Sequence, residues 1–350
     1  MTGWQRDFFR LKQFVEGCGD IKVTSERLSV PGDRKEEFYH LVEEVQKALG
    51  MQVLGEYQEM GSALASRFAQ MRQQMAADAN LKELTVARAI ENLLEDPKMG
   101  MAKPAFWIVL DGLQQELSVE AMEDRAKREV VPFCKDLLRG LYESWLYYSI
   151  VAALKPVRFY GVDLQDKDAM RAVQVQRVAA GFQEASRDKR MPEAVFITED
   201  DRVFAMKSEI ADELQFYVEK PGRGRNFFAG GDAADRVAHR ALLLYRLGSL
   251  DRIPLLADRE KRYFLPADLM CEFLLPQEME RPVLLAGLEK RVRTARSRRP
   301  VQVLTWDESG SFPDGFLKDS SGGCQVLVER TVVGMDAGKL PKIAAVLRER

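Results

Sequence analysis

The chain has 350 residues, 46% of them hydrophobic and 30% charged, which is enough apolar mass for two domains and too much for a disordered protein. Its net charge of −2 excludes a whole-molecule attraction to nucleic acid or membrane, so any such attraction has to come from a local patch. Four scattered cysteines, Cys18, Cys134, Cys271 and Cys324, form no C-x-x-C pair; this argues against a zinc knuckle or a dithiol motif and reads as free, mostly buried thiols in a reducing compartment.

The opening MTGWQRDFFRLKQF lacks the apolar core and cleavage site of a signal peptide. The longest uncharged stretch near helical core, Ser144 to Leu154, is too short for a bilayer span of about 20 residues. A cytoplasmic protein without a membrane span is expected. After a short opening helix, DIKVTSERLSVPG reads as a small hairpin or an extended connection. Phe38, Leu41, Val45 and Ala48 mark one helix; Tyr57, Met60, Leu64, Phe68, Met71 and Met75 mark the next. The methionines of that stripe suit a partner helix, but the core is the stronger reading. Leu84, Ala87, Ile90 and Leu94 predict a helix stopped by Asp96-Pro97, and Phe106, Leu110, Leu113 and Leu117 predict another. A long helical region then runs from Ser118 to Leu154, with a kink or break expected at Pro132.

The pattern changes at Lys155-Pro156. VRFYGV, AVFIT and RVFAM are short and rich in β-branched and aromatic residues, with Glu199-Asp200-Asp201 as the turn between the last two. A helix is expected at about Lys167 to Arg187 and another over Ala233 to Leu247. VQVLTW and CQVLVERTVV are further strand candidates, and LPKIAAVLRER reads as a closing helix. The fold class that follows is α+β: a helical bundle over residues 1–155, then a mixed α/β domain with a small sheet over residues 156–350.

Familiar catalytic patterns fail one by one. His40 and His239 are the two histidines, and neither has a second histidine at i+4. Ser186 and Lys189 form S-x-x-K without its companion motifs. In GMDAGKLPKIAAVL, three residues separate the glycines where a Walker A loop needs four, and Leu340 replaces the magnesium-binding Ser or Thr. The DESGSFPDGFLKD loop carries Lys318 where an EF-hand has its bidentate glutamate. Clustered Glu199, Asp200 and Asp201, with Lys207 downstream, match no nuclease spacing and read as a solvated turn. No metal site and no cofactor is indicated.

Two surfaces stand out. The segment 281–300 holds seven basic residues and one acid, with Lys290, Arg291, Arg293, Arg296, Arg298 and Arg299 as a nucleic-acid-binding candidate. No aromatic is interleaved, so base stacking finds no support there. An acidic stretch, 193–219, offers internal pairing as the competing reading. The loop EKPGRGRNFFAGGDAAD supplies Arg223, Gly224, Arg225, Gly230 and Gly231 as an anion-binding candidate, although an N-capping Asp232 would compete for the same amides. The sequence favours a non-enzymatic interaction or scaffold protein whose partner is another protein. A nucleic-acid-associated protein using 290–299 is the first alternative. An enzyme acting on a phosphorylated or nucleotide substrate through 222–231 is the second, and whether the chain is an enzyme stays open.

Overall fold

The computed structural model describes residues 3–24, 28–86, 88–114, 117–166, 169–179, 191–207, 241–256, 265–275, 278–309, 311–312 and 328–348. The chain forms two compact units, Met1–Ala69 with Arg88–Tyr142 and Gln70–Ala87 with Glu143–Arg350. The architecture is α+β, helices first and strands after. No helix among the described residues is long and apolar enough to cross a membrane.

The first unit is helical. Helix α1 (Gly3–Gly17) buries Trp4, Phe8 and Leu11. The expected hairpin follows as β1 (Lys22–Val23) antiparallel to β2 (Leu28–Ser29). Helix α2 (Lys35–Leu54) buries Phe38, Leu41, Val45 and Leu49, one face at helical spacing. In α3 (Tyr57–Asp78), Leu64, Phe68 and Met75 are fully buried, so much of the methionine-rich stripe is core. Helices α4 (Arg88–Glu95), α5 (Pro97–Ala102) and α6 (Ala105–Leu113) are short. Asp96 starts α5 by accepting from the amides of Lys98 and Met99 at 3.0 and 3.1 Å, and it also pairs with Lys47 on α2 at 3.0 Å. A β-carbon on Gly50 would lie 2.4 Å from the Ala102 Cβ, so only glycine permits this approach of α2 to α5. Of the kink or break expected at Pro132, a break does not occur, and helix α7 (Val119–Ala153) continues through it.

Two helices expected from spacing are shorter or absent. The one placed over Leu84 to Leu94 begins only at Arg88, because Leu84 lies in strand β3 (Glu83–Thr85). The one placed over Lys167 to Arg187 is replaced, where described, by strands β5 (Ala169–Gln174) and β6 (Arg177–Ala179). Val173 in β5 and Val178 in β6 are β-branched and favour the strand over a helix. Strand β6 pairs in parallel with β3, inside the second unit.

That unit is built on an eight-stranded sheet. Its further strands are β4 (Pro156–Asp166), β7 (Ala194–Thr198), β8 (Val203–Lys207), β9 (Ala241–Leu247), β10 (Leu269–Phe273), β11 (Val301–Thr305) and β12 (Val328–Val332). The order across the sheet is β12-β11-β10-β9-β8-β7-β4-β5. Strands β10, β11 and β12 are parallel and the remaining neighbours antiparallel. Helix α8 (Pro282–Ala295) is the crossover between β10 and β11, as parallel neighbours require. Its Leu288, Val292 and Ala295 join Leu243, Met270, Val301 and Val303 in one core. On the alternate face Phe159, Phe196 and Phe204 form a row with centroids 5.5 and 5.6 Å apart. Strands β8, β9 (at its first five residues), β10 and β11 are buried on both faces, and such strands read as continuous apolar runs. That explains ALLLYRL, expected to end a helix from Ala233 and found as β9. A last helix, α9 (Leu340–Ala345), closes the described chain.

Candidate anion-binding cleft

The site is assembled at one end of the sheet by the register of its strands. The β7–β8 turn lies there because Ile197 pairs with Val203. Val203 pairs with Leu247 on β9, and Leu244 with Leu269 on β10, so the end of β9 and the start of β10 share that edge. The residues before β11 follow, because β11 runs parallel to β10.

The turn itself is held by hydrogen bonds and ion pairs. Asp200 sits 2.5 Å from the Thr198 hydroxyl, and Thr198 Oγ1 accepts from the Arg202 amide at 3.2 Å. Asp201 takes a left-handed φ of 57°, a conformation aspartate tolerates. Lys155 pairs with Glu199 at 2.7 Å and Arg202 with Asp200 at 3.1 Å. The Thr198 hydroxyl holds the Asp200 carboxyl below its ordinary range, with help from Arg202. Two of the three clustered carboxylates are thus ion-paired. Arg202 also donates to the carbonyls of Leu347 and Arg348 at 3.3 and 2.8 Å, and Arg348 donates to the Ala153 carbonyl at 2.8 Å.

The basic run divides. Arg291 turns inward from α8, and its Nε donates to Glu272 Oε2 on β10 at 3.0 Å while Nη2 bonds Oε1. Glu272 is 0% exposed and Arg291 7%, so this arginine belongs to the core and not to a nucleic-acid surface. Lys290 and Arg293 lie on the same helix. Arg296 ends it in a left-handed conformation, φ 46°, and is exposed. Beyond that bend the Arg298 amide donates to the Ala267 carbonyl at 2.8 Å, which brings Arg298 and Arg299 beside the start of β10.

A cleft of about 530 Å³ opens there, lined by Arg246, Leu247, Gly248, Asp268, Arg298, Arg299 and Leu347. Arg298 Nη1 lies 3.3 Å from Asp268 Oδ1, and the Arg246 amide donates to Asp268 Oδ2 at 2.6 Å. Arg202 donates to the carbonyl of Leu347, one of the residues lining it. Chemically the arrangement offers several guanidinium donors around one carboxylate, a setting for an anion rather than a cation.

The other sequence candidates separate from this site. Arg223, Gly224, Arg225, Gly230 and Gly231 lie outside the described residues, as do His239 and Lys318. Lys339, the lysine of the near-Walker segment, donates to the Val332 carbonyl at 2.7 Å, and Asp336 accepts from the Gly338 amide at 2.8 Å. That segment is a capped strand-to-helix turn. Among the described residues no group of three His, Cys, Asp or Glu side chains is placed to hold a metal ion. Cys134 and Cys271 are buried free thiols, and burial pushes the Cys134 thiol up to about 12. Arg246 and Asp268 were missed in the sequence. Each is a single charged residue at a strand end, and only the β9–β10 register brings them together.

No known family, no curated protein and no solved structure matches this chain.

Proposed function

We propose that the chain binds nucleic acid, in the cytoplasm, through the phosphates of its backbone. The observation that carries this reading is the convergence of Arg246, Arg298 and Arg299 on one open cleft. Arginine forks match phosphate oxygens, and three such contacts give weak, salt-sensitive binding with little sequence preference. The free thiols of Cys18, Cys134 and Cys271 support a reducing compartment.

The test is binding of a labelled duplex by the full chain from low to physiological salt. Three phosphate contacts correspond to a slope of log affinity against log salt of roughly −2.7, and Arg246→Ala or Arg298→Ala should each make it shallower by about 0.9. Absence of binding at low salt would discard the reading. The other reading, a protein-interaction role, draws support from Phe9, Tyr39 and Trp107, which are 50%, 39% and 56% exposed. Duplex binding that survives both arginine changes would place the nucleic-acid surface outside the cleft, whereas no duplex binding by the full chain would leave the protein-interaction role as the better account.

A further inference from the structure

We infer that Asp268 is a specificity-determining residue of the cleft, disfavouring doubly charged phosphate ends relative to the singly charged phosphodiesters of a chain. The inference rests on the reading of the cleft as a phosphate site and names which phosphates it takes.

Among the described residues lining the cleft, Asp268 is the one carboxylate. Its side chain is only 18% exposed. Both oxygens are held, Oδ2 by the Arg246 amide at 2.6 Å and Oδ1 by Arg298 Nη1 at 3.3 Å. The carboxylate therefore cannot swing away when an anion enters. It also engages Arg298 through Nη1 alone, which leaves the rest of the guanidinium fork for a ligand. An arginine cleft built only to maximise anion affinity has no use for a fixed negative charge at this point. A cleft that must take internal phosphates of a chain in the presence of free phosphomonoesters does. Repulsion from Asp268 scales with ligand charge, so a phosphomonoester, close to −2 at pH 8, is penalised twice where a phosphodiester is penalised once.

Adenosine 5′-monophosphate and cyclic 3′,5′-adenosine monophosphate form a probe pair with one base, one sugar and different phosphate charge. Each is used at pH 8 and low salt to compete with a labelled duplex on the full chain. In Asp268→Asn the side-chain oxygen still accepts from the Arg246 amide, but the charge is gone. Its affinity should rise about threefold for the cyclic diester and about tenfold for the monoester, because one unit charge across an open cleft in a water-like dielectric is worth about threefold per unit of ligand charge. The monoester-to-diester ratio should therefore rise about threefold. Asp268→Ser should shift the ratio the same way, which keeps the test intact should the asparagine variant fold poorly, and Asp268→Glu should keep the wild-type ratio. An unchanged ratio in both neutral variants overturns the inference, and so does loss of both ligands, which would make Asp268 a positioning residue for Arg298. If neither wild type nor any variant binds duplex or nucleotide, the phosphate-site reading fails and takes the inference with it.

Discussion

At the residue scale the most informative pair is Glu272 and Arg291. The sequence offers Arg291 as one of six cations in a surface run, yet it is buried against a carboxylate on the adjacent strand. Burying two charges is costly, and the Coulomb attraction offsets that only while both partners are present. Gly287, one turn earlier, leaves the room: a β-carbon there would meet Arg291 Nη1 at 3.2 Å. The same region holds Tyr147, whose phenol burial pushes well above its ordinary value, with Glu143 and Glu272 adding to the shift. Glu272→Gln should therefore cost about 3–5 kcal/mol in denaturant unfolding, because it leaves Arg291 buried without its counter-ion. The paired change Glu272→Leu with Arg291→Met should cost far less than either single change. A Glu272→Gln midpoint within error of wild type would mean that water or another group satisfies the arginine. In either outcome duplex binding through Arg298 should persist, since Arg291 does not line the cleft.

At the element scale two capped turns and one buried thiol make stability depend on pH. Burial raises Asp96, but the Met99 amide and Lys47 outweigh it, and Asp200 is lowered chiefly by the Thr198 hydroxyl; both carboxyls sit below their ordinary value of 3.8. A carboxyl lowered by folding contributes stability above its unfolded pKa, and that contribution is lost as pH falls through the folded value. On the alkaline side Cys134 is raised from 9.0 to about 12, so its contribution is intact below 9 and declines as pH climbs through that window. Thermal melts across pH should show a plateau between about 4 and about 9, and Thr198→Ala should make the acid limb shallower, because Asp200 then titrates closer to its unfolded value, with a small effect because Asp200 is largely solvated. An acid limb unchanged by that substitution would show the Thr198 bond to be energetically silent. Much at this scale is legible in the sequence. The helical spacing of α2, α3 and α6 and the β-rich runs of β4, β7, β8 and β11 follow from side-chain period and branching. Strand β9 is not legible, because a strand buried on both faces has no polar alternation to separate it from a helix. Of the cleft, Arg298 and Arg299 are visible as charge density, whereas Arg246 and Asp268 owe their places to strand register.

At the scale of the whole molecule, element type and compactness change at different points. The strands of the eight-stranded sheet begin at Pro156, where the sequence predicts a second domain, while the compact unit carrying that sheet includes α7 from Glu143 onward and Gln70–Ala87. Tyr147, Tyr148, Ile150, Val151 and Leu154 of that unit are almost wholly buried. A fragment of residues 156–350 would lack all five, and strand β3 with them, leaving β6 without the partner it pairs with. It would also lack Lys155, whose carbonyl accepts from the Glu199 amide at 3.0 Å in the turn bordering the cleft. Burying a large apolar side chain is worth about 1.5–3 kcal/mol, so five lost together amount to roughly 7–15 kcal/mol, as much as the whole stability of an ordinary domain. The expected outcome is that fragment 156–350 shows no cooperative melt by circular dichroism and binds duplex far more weakly than the full chain. Extending it to begin at Glu143 restores the five side chains and should recover a cooperative transition, lower than that of the intact protein because Gln70–Ala87 is still missing. A sharp melt and full duplex affinity from 156–350 alone would place the functional boundary at Pro156 and make the α7 segment dispensable to the cleft.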